Sequence, residues 1–331
     1  MRFTRGHHGI YVPITRDIIA PPLVIGIKGR YKVELIDAAT GKVKRKLEFD
    51  NLIVNGGMDA LGSGSNVIPN TLYAYCGVGT GNTTPANTDT ALVAEILPRE
   101  NNNAGIGDTK TYQSGSPDFI KFVTVRQFAT TEANGNLTEI GFFGTPTGGT
   151  MFSRQLIKDG LGNPTTLTKT SSDQLRITYE IDVYPPQTDA VFLAQNISGT
   201  NYDITGRAQN VSQANCWLNL LTNFNGICNV NATAVADSLL TSALTTRTSL
   251  STPAGTTAAS SRTNAAYTNG SFQRDITDVW NTATGNGTWV TVGTPCTAGT
   301  TYLFGWGLSP SLVKNSTQQL TWNYRVAWAR H

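Results

Sequence analysis

The sequence predicts a mainly β protein: two antiparallel β-sandwich-like modules with a few short helices and an extended N-terminal arm. Three observations carry that expectation. One segment occurs twice, since residues 167–184 read LTKTSSDQLRITYEIDVY and residues 312–328 read LVKNSTQQLTWNYRVAW. In both copies apolar and polar residues alternate, with Leu175, Ile177, Tyr179, Ile181 and Val183 in the first and Leu320, Trp322, Tyr324, Val326 and Trp328 in the second. Strict period two marks a strand with one face on a core. Finally, charged residues are only 14% of the chain. Thr, Asn, Ser and Gly take their place, and these favour strands and turns.

The two copies align without a gap. Leu167 falls on Leu312, Lys169 on Lys314, Ser171 on Ser316, Gln174 on Gln319, Leu175 on Leu320 and Tyr179 on Tyr324. The matched lysine, serine and glutamine lie outside the apolar alternation, so they point to a duplication rather than to strand periodicity alone. A weaker match sets residues 136–142 (NLTEIGF) against 275–280 (DITDVW).

Residues 1–30 read as an arm. Pro13, Pro21 and Pro22 fix the backbone and remove donors. Leu23, Val24, Ile25 and Ile27 form an apolar run with no local partner, and are the candidate anchoring residues for docking on another subunit or protein. The first module is expected over residues 31–186. It opens with a hairpin of residues 31–37 and 42–49 around a turn at 38–41. Lys42, Lys44, Arg45 and Lys46 form the densest basic patch, but Glu34, Asp37, Glu48 and Asp50 lie beside it. That mixture reads as a solvated strand face, not a nucleic-acid surface. A strand end and a short helix follow over 50–61, then a strand over 72–78.

The Gly-rich loop 77–85 lacks a P-loop lysine and a directly following helix, so it reads as a connector. Residues 89–96 are expected as a short helix capped by Thr88 or Asp89. Strands over 120–128, 137–143 and 150–157 precede the duplicated segment, and Pro185–Pro186 reads as a linker. The second module is expected over 187–331. Its helix candidates are 214–222 and 234–244. Residues 245–270, rich in Ser, Thr, Ala and Asn, read as a surface loop or a segment ordered on assembly. Strands close the chain over 273–280, 288–293, 302–308 and 318–329.

The residue chemistry argues against catalysis and cofactors. The four cysteines, Cys76, Cys216, Cys228 and Cys296, form no CxxC pair. Cys216 and Cys228 read either as a loop-closing disulfide or as isolated thiols, and zinc would need closer pairs or nearby histidines. The histidines are His7, His8 and His331, at the ends of the chain, so no Ser–His–Asp arrangement is expected. Carboxylate candidates for glycoside hydrolysis are Glu95, Glu139, Glu180, Asp182 and Asp278. Glu180 and Asp182 share a strand face roughly 7 Å apart, inside the inverting range, although a solvated face is the simpler reading. No short repeat of the β-helix kind is present.

The net charge of +3 implies neither a nucleic-acid nor a membrane-surface partner. No run approaches the roughly eighteen apolar residues of a membrane span. The opening MRFTRGHH lacks the apolar segment of a signal peptide, so folding in the cytoplasm of the producing cell is expected. Trp280, Trp289, Trp306, Trp322 and Trp328 crowd the last part of the chain. Trp322 and Trp328 lie on the alternating apolar face and read as core or subunit interface. Trp289 and Trp306 are less constrained, and are candidate glycan-binding or interface aromatics.

The order of motifs in the first half can be placed. TGKV in a hairpin turn is followed by DNLIVNGGMDAL, then YCGVGTGNTTPANTDTALVAEI, then NLTEIGFFG, then LTKTSSDQLRITYEIDVY. Over residues 29–185 this order resembles tailed-bacteriophage virion structural proteins associated with the tail, fibre or collar. The resemblance implies a virion component made in the cytoplasm of a bacterial host, with no cofactor and no reaction. The implied partners are further copies of itself, a trimer favoured, and other virion proteins of the tail or neck. The alternative reading is a receptor-binding module that recognises a host cell-surface glycan through its C-terminal half.

Overall fold

The structure is a computed structural model that describes residues 14–62, 72–213, 217, 238–247, 257–297 and 301–331. The first half contains β1 (Ile14–Ile19), β2 (Leu23–Asp37), β3 (Val43–Ile53), α1 (Asn55–Gly62), β4 (Tyr75–Gly79), β5 (Glu95–Glu100), β6 (Thr109–Gln113), β7 (Phe119–Phe128), β8 (Gly135–Leu137), β9 (Glu139–Phe143), β10 (Met151–Leu156), β11 (Leu167–Lys169) and β12 (Asp173–Tyr184). The second contains β13 (Ala190–Ile197), β14 (Thr200–Ala208), β15 (Ser238–Leu240), β16 (Thr257–Ala259), β17 (Ser261–Asn264), β18 (Gln273–Trp280), β19 (Gly287–Thr297), β20 (Thr301–Lys314) and β21 (Gln318–Arg330). The chain is mainly β, as its alternation predicts.

In the first half two strand layers face each other. One layer runs β6–β7–β12–β2–β3 and the other β3–β10–β9–β4–β5. β3 turns the corner, pairing with β2 and, at Leu52 and Ile53, with β10. Alternate residues fill the space between the layers. Tyr31 and Tyr179 reach across to Phe142, with ring centroids 5.6 and 4.6 Å away. The Tyr31 hydroxyl meets the Ser153 hydroxyl at 2.7 Å, which satisfies two polar groups in an apolar layer.

The second half repeats this pattern register for register. Phe128 of β7 faces Leu175 of β12, and Trp280 of β18 faces Leu320 of β21. Gly135 and Leu137 face Lys169 and Leu167, as Gly287 and Trp289 face Lys314 and Leu312. Even a bulge is shared. Phe142 and Phe143 face Ser153 and Met151 with Phe152 extruded, and Thr294 and Pro295 face Phe304 and Tyr302 with Leu303 extruded. The repeated strand pattern therefore spans whole sheets. The weaker sequence match is corrected: β18 is the counterpart of β7, while residues 136–142 correspond to the start of β19. The two copies preserve strand register while their identities diverge.

One position breaks the repeat. In the first half the free edge of β12 receives β2 antiparallel, with Leu175 opposite Leu35. In the second half the same edge of β21 receives the N-terminal arm in parallel. Ile14 to Ile19 lie opposite Gln318 to Asn323, and Leu23 to Ile27 opposite Val326 to Arg330. The register slips by one residue at Pro21 and Pro22, which have no N–H to give to the ladder. β13, the counterpart of β2, pairs with β14 and with no other described strand.

Over residues 14–30 this corrects the expectation of a separate arm, while residues 1–13 lie outside the described residues. Leu23, Ile25 and Ile27 are fully buried in the chain's own core, and only Val24, 50% exposed, points outward. Their partner is local in space but about 300 residues away in sequence. The boundary at 186/187 separates the two copies of the repeat, but not two bodies, because β2 is hydrogen-bonded to both β12 and β21.

Helix α1 also crosses over. Trp328 Nε1 donates to Met58 O at 2.9 Å, the Tyr267 hydroxyl donates to Asp59 at 2.6 Å, and Arg274 donates to Gly62 O at 2.6 Å.

Three local expectations are also corrected. Residues 89–96 form turns leading into strand β5, since Asp89 accepts from Ala86 N at 2.9 Å and pairs with Arg154 instead of capping a helix. Within 234–244 the described part includes strand β15. Within 245–270 lie strands β16 and β17, paired with β15 and β18. The Cys216–Cys228 question, and all of the 214–222 helix except Trp217, fall outside the described residues.

Candidate functional site

Of the carboxylates singled out in the sequence, Glu95, Glu139 and Asp278 are engaged in structural contacts. Glu139 and Arg154 are fully buried and 2.9 Å apart, and Arg154 also pairs with Asp89 at 2.6 Å. Glu139 accepts from the backbone N–H of Gly81, Val93 and Ala94 at 3.1, 3.2 and 2.9 Å. Together these contacts pin the Gly- and Thr-rich loop against the sheet. A buried ion pair tolerates that position only when its remaining hydrogen-bonding capacity is met, and here the loop backbone meets it. Glu95 holds Arg99, whose guanidinium lies 3.4 Å from the Phe143 ring centroid. Asp278 is buried and takes Arg262 at 3.1 Å and the Ser260 hydroxyl.

Glu180 and Asp182 do share one strand face, but it is not simply solvated. Asp182 is buried, with Lys28 of β2 on one side and Lys121 of β7 on the other in register. Both lysines are turned elsewhere, Lys28 to Asp50 at 2.9 Å and Lys121 to Glu180 at 2.9 Å. Asp182 Oδ1 has no hydrogen-bond partner. Burial, and secondarily the charge of Glu180, push its carboxyl up to about 6.

Trp289 and Trp306 are corrected as glycan-binding or interface candidates, because both are buried in the core. Trp289 Nε1 donates to Gly285 O at 2.8 Å and Trp306 Nε1 to Pro21 O at 3.2 Å. The Trp306 ring packs 4.5 Å from Tyr324 and 6.1 Å from Trp322. Basic residues of the hairpin are likewise engaged, with Lys44 between Asp37 and Asp173 at 2.9 and 2.7 Å and Lys46 on Glu48 at 2.8 Å.

The arm seam is the candidate functional site. A cleft of about 390 Å³ opens where the end of β1 and Phe192 of β13 meet β18 and β21, lined by Ile19, Ala20, Pro22 and Phe192 and by Asp275, Ile276, Thr277, Asn323, Tyr324 and Arg325. Around it Ile19 is 63% exposed and Leu193 71%. The outer edge of β13 offers backbone donors and acceptors that no described strand takes. Such an edge with apolar side chains is a template for pairing with another chain. Among the described residues no group of three or more His, Cys, Asp or Glu side chains stands where it could share a metal ion.

No family model matches the chain, and no curated protein or solved structure matches it.

Sequence reasoning missed Ile18, which is buried beside the seam, and the Arg154–Glu139 pair. The signal for the first was available in the alternation of residues 16–20, with Ile18 and Ala20 facing inward. The second had no sequence signal, since its members come together only through the β9–β10 ladder and the loop it holds.

Proposed function

We propose that the protein is a structural component of a bacteriophage particle, associated with the tail, fibre or collar, acting by assembly with copies of itself and by attachment to other virion proteins. The observation that carries this reading is the double use of one β-sandwich unit, stitched by a strand that serves both copies. The second half has few charges, and the seam beside β1 exposes both a strand edge and apolar side chains. These features suit protein–protein contact. The motif order of residues 29–185 supplies the virion context by resemblance. Glycan recognition through the C-terminal half loses the two tryptophans on which it rested. Light scattering on the purified chain tests the assembly part: the reading expects a mass that is a multiple of 35.5 kDa, and a stable monomer at micromolar concentration would count against it.

A further inference from the structure

We propose that Arg126 is the anion-binding residue of a small-molecule site at the end of β7, and that the ligand is a carboxylate bearing a hydroxyl group. The site lies in the first half, away from the arm seam, and does not depend on the assembly reading.

The internal repeat supplies the comparison. Arg126 lies opposite Ile177 in the β7–β12 ladder, and Asp278 lies opposite Trp322 in the β18–β21 ladder. These positions correspond, because Phe128 and Trp280 stand two residues further along each strand. Each holds a charge inside the protein: Arg126 is 6% exposed and Asp278 is fully buried. Asp278 has its counterion at hand, since β17 runs beside β18 and places Arg262 opposite it. Arg126 has no such neighbour. β6 starts only at Thr109, opposite Val123. Beyond that point the loop after β5 takes over, with Asn102 O accepting from Gln127 N at 2.8 Å.

The hydrogen bonds of the guanidinium show which part is left over. Nε donates to Ala74 O at 2.6 Å, and Nη1 donates to Thr124 Oγ1 at 2.7 Å and to Val125 O at 2.6 Å. All three acceptors are neutral, so they hold the side chain without cancelling its charge. Among the described residues no carboxylate forms an ion pair with Arg126, and Nη2 has no hydrogen-bond partner. A buried charge is costly unless it is paired and hydrogen-bonded. Arg126 lines a cleft of about 540 Å³ together with Ala74, Asn101, Asn103 and Asp108. An anion in that cleft supplies both the missing charge and the missing acceptor.

The other lining groups narrow the ligand. Asn103 Oδ1 is taken by Gly105 N at 3.0 Å, which leaves its amide N–H groups for the ligand. Asp108 is exposed in the same cleft, and an ionised carboxylate only accepts hydrogen bonds. It repels a doubly charged anion such as phosphate and accepts from a hydroxyl beside a singly charged carboxylate. A hydroxycarboxylate meets all of these demands, whether as a free hydroxy acid or as a uronic acid unit of a polysaccharide.

The test is calorimetric titration of the full chain with lactate, glucuronate, acetate and inorganic phosphate. Lactate or glucuronate should bind more tightly than acetate, and phosphate most weakly. Whichever of the first two binds more tightly identifies the source of the ligand. Arg126→Met should abolish binding. Should that variant fail to fold, two changes on the exposed loop carry the test. Asn103→Ala should weaken binding about tenfold, the worth of one hydrogen bond to a charged group. Asp108→Asn should bring phosphate up to the affinity of the carboxylates. The assignment is overturned if no carboxylate binds at millimolar concentration, or if phosphate binds the unaltered chain as tightly as they do. It is also overturned if acetate matches both hydroxy acids, or if binding is unchanged in Asn103→Ala and Asp108→Asn.

Discussion

The Nζ of Lys169 donates to Oδ1 of Asn134 at 2.9 Å, closing the turn between β7 and β8. Lys169 also donates to Ala129 O at 2.9 Å, and Asn134 Nδ2 donates to Thr130 O at 3.0 Å. The second half repeats the clamp. Lys314 reaches Asn286 Oδ1 at 2.9 Å and Asn281 O at 2.6 Å, and Asn286 Nδ2 donates to Thr282 O at 3.0 Å. After each asparagine comes a glycine at φ of 141° and 151°, Gly135 and Gly287, a backbone state that side chains rarely adopt. Both lysines are buried, and burial pulls both ammonium groups below the usual lysine range. The lysine shared by the two copies in sequence is thus a turn clamp.

Replacing either lysine leaves the part-buried acceptors of its turn without a donor. Lys169→Met and Lys314→Met should each destabilise the chain by about 1–3 kcal/mol, with similar cost in the two halves. Urea unfolding midpoints measure this. A neutral effect at either site would mean that the clamp is not shared.

Glu139→Gln removes one charge of a fully buried pair and leaves Arg154 with Asp89 alone. Breaking such a pair costs about 3–5 kcal/mol. The loop between β4 and β5 should lose amide protection in hydrogen exchange before the rest of the first half. Unchanged protection at Gly81, Val93 and Ala94 would show that Glu139 does not hold the loop.

Asp182 makes stability depend on pH in a defined window. Its carboxyl titrates near 6 in the folded chain, above the roughly 3.9 of an unfolded aspartate. Between those values the folded state binds more protons than the unfolded state, so stability falls as pH rises from about 4 to about 6. Asp182→Asn should flatten that slope and stabilise the chain at pH 7. The check is a series of denaturant midpoints across this range; an unaltered slope would contradict the burial of the charge.

The arm is part of the core through Leu23, Ile25 and Ile27. Ile25→Ala should cost about 2–5 kcal/mol, as for other buried large-to-alanine changes. Removal of residues 1–29 should abolish cooperative unfolding, as followed by circular dichroism. A truncated chain that unfolds as cooperatively as the full one would restore the expectation of a detachable arm.

The fold was legible where the signal is local. Alternation placed β12 and β21, the TGKV turn placed the β2–β3 hairpin, and the gapless match from Leu167 to Tyr184 announced the repeat. What escaped depends on contacts far apart in sequence. Leu23 to Ile27 read as unpartnered because their ladder is with Val326 to Arg330. Thr88 and Asp89 read as a helix cap because nothing local shows that Arg154 takes the Asp89 carboxylate. Trp306 read as a candidate glycan-binding or interface aromatic because its place between Trp322, Tyr324 and Pro21 is set by two sheets meeting.

The central claim, that the chain is a building block of a phage particle, is tested most directly by electron microscopy of purified particles labelled with antibody against it. The account predicts label confined to the tail, fibre or collar. Particles that carry no label, while the same antibody detects the protein free in the lysate, would contradict it.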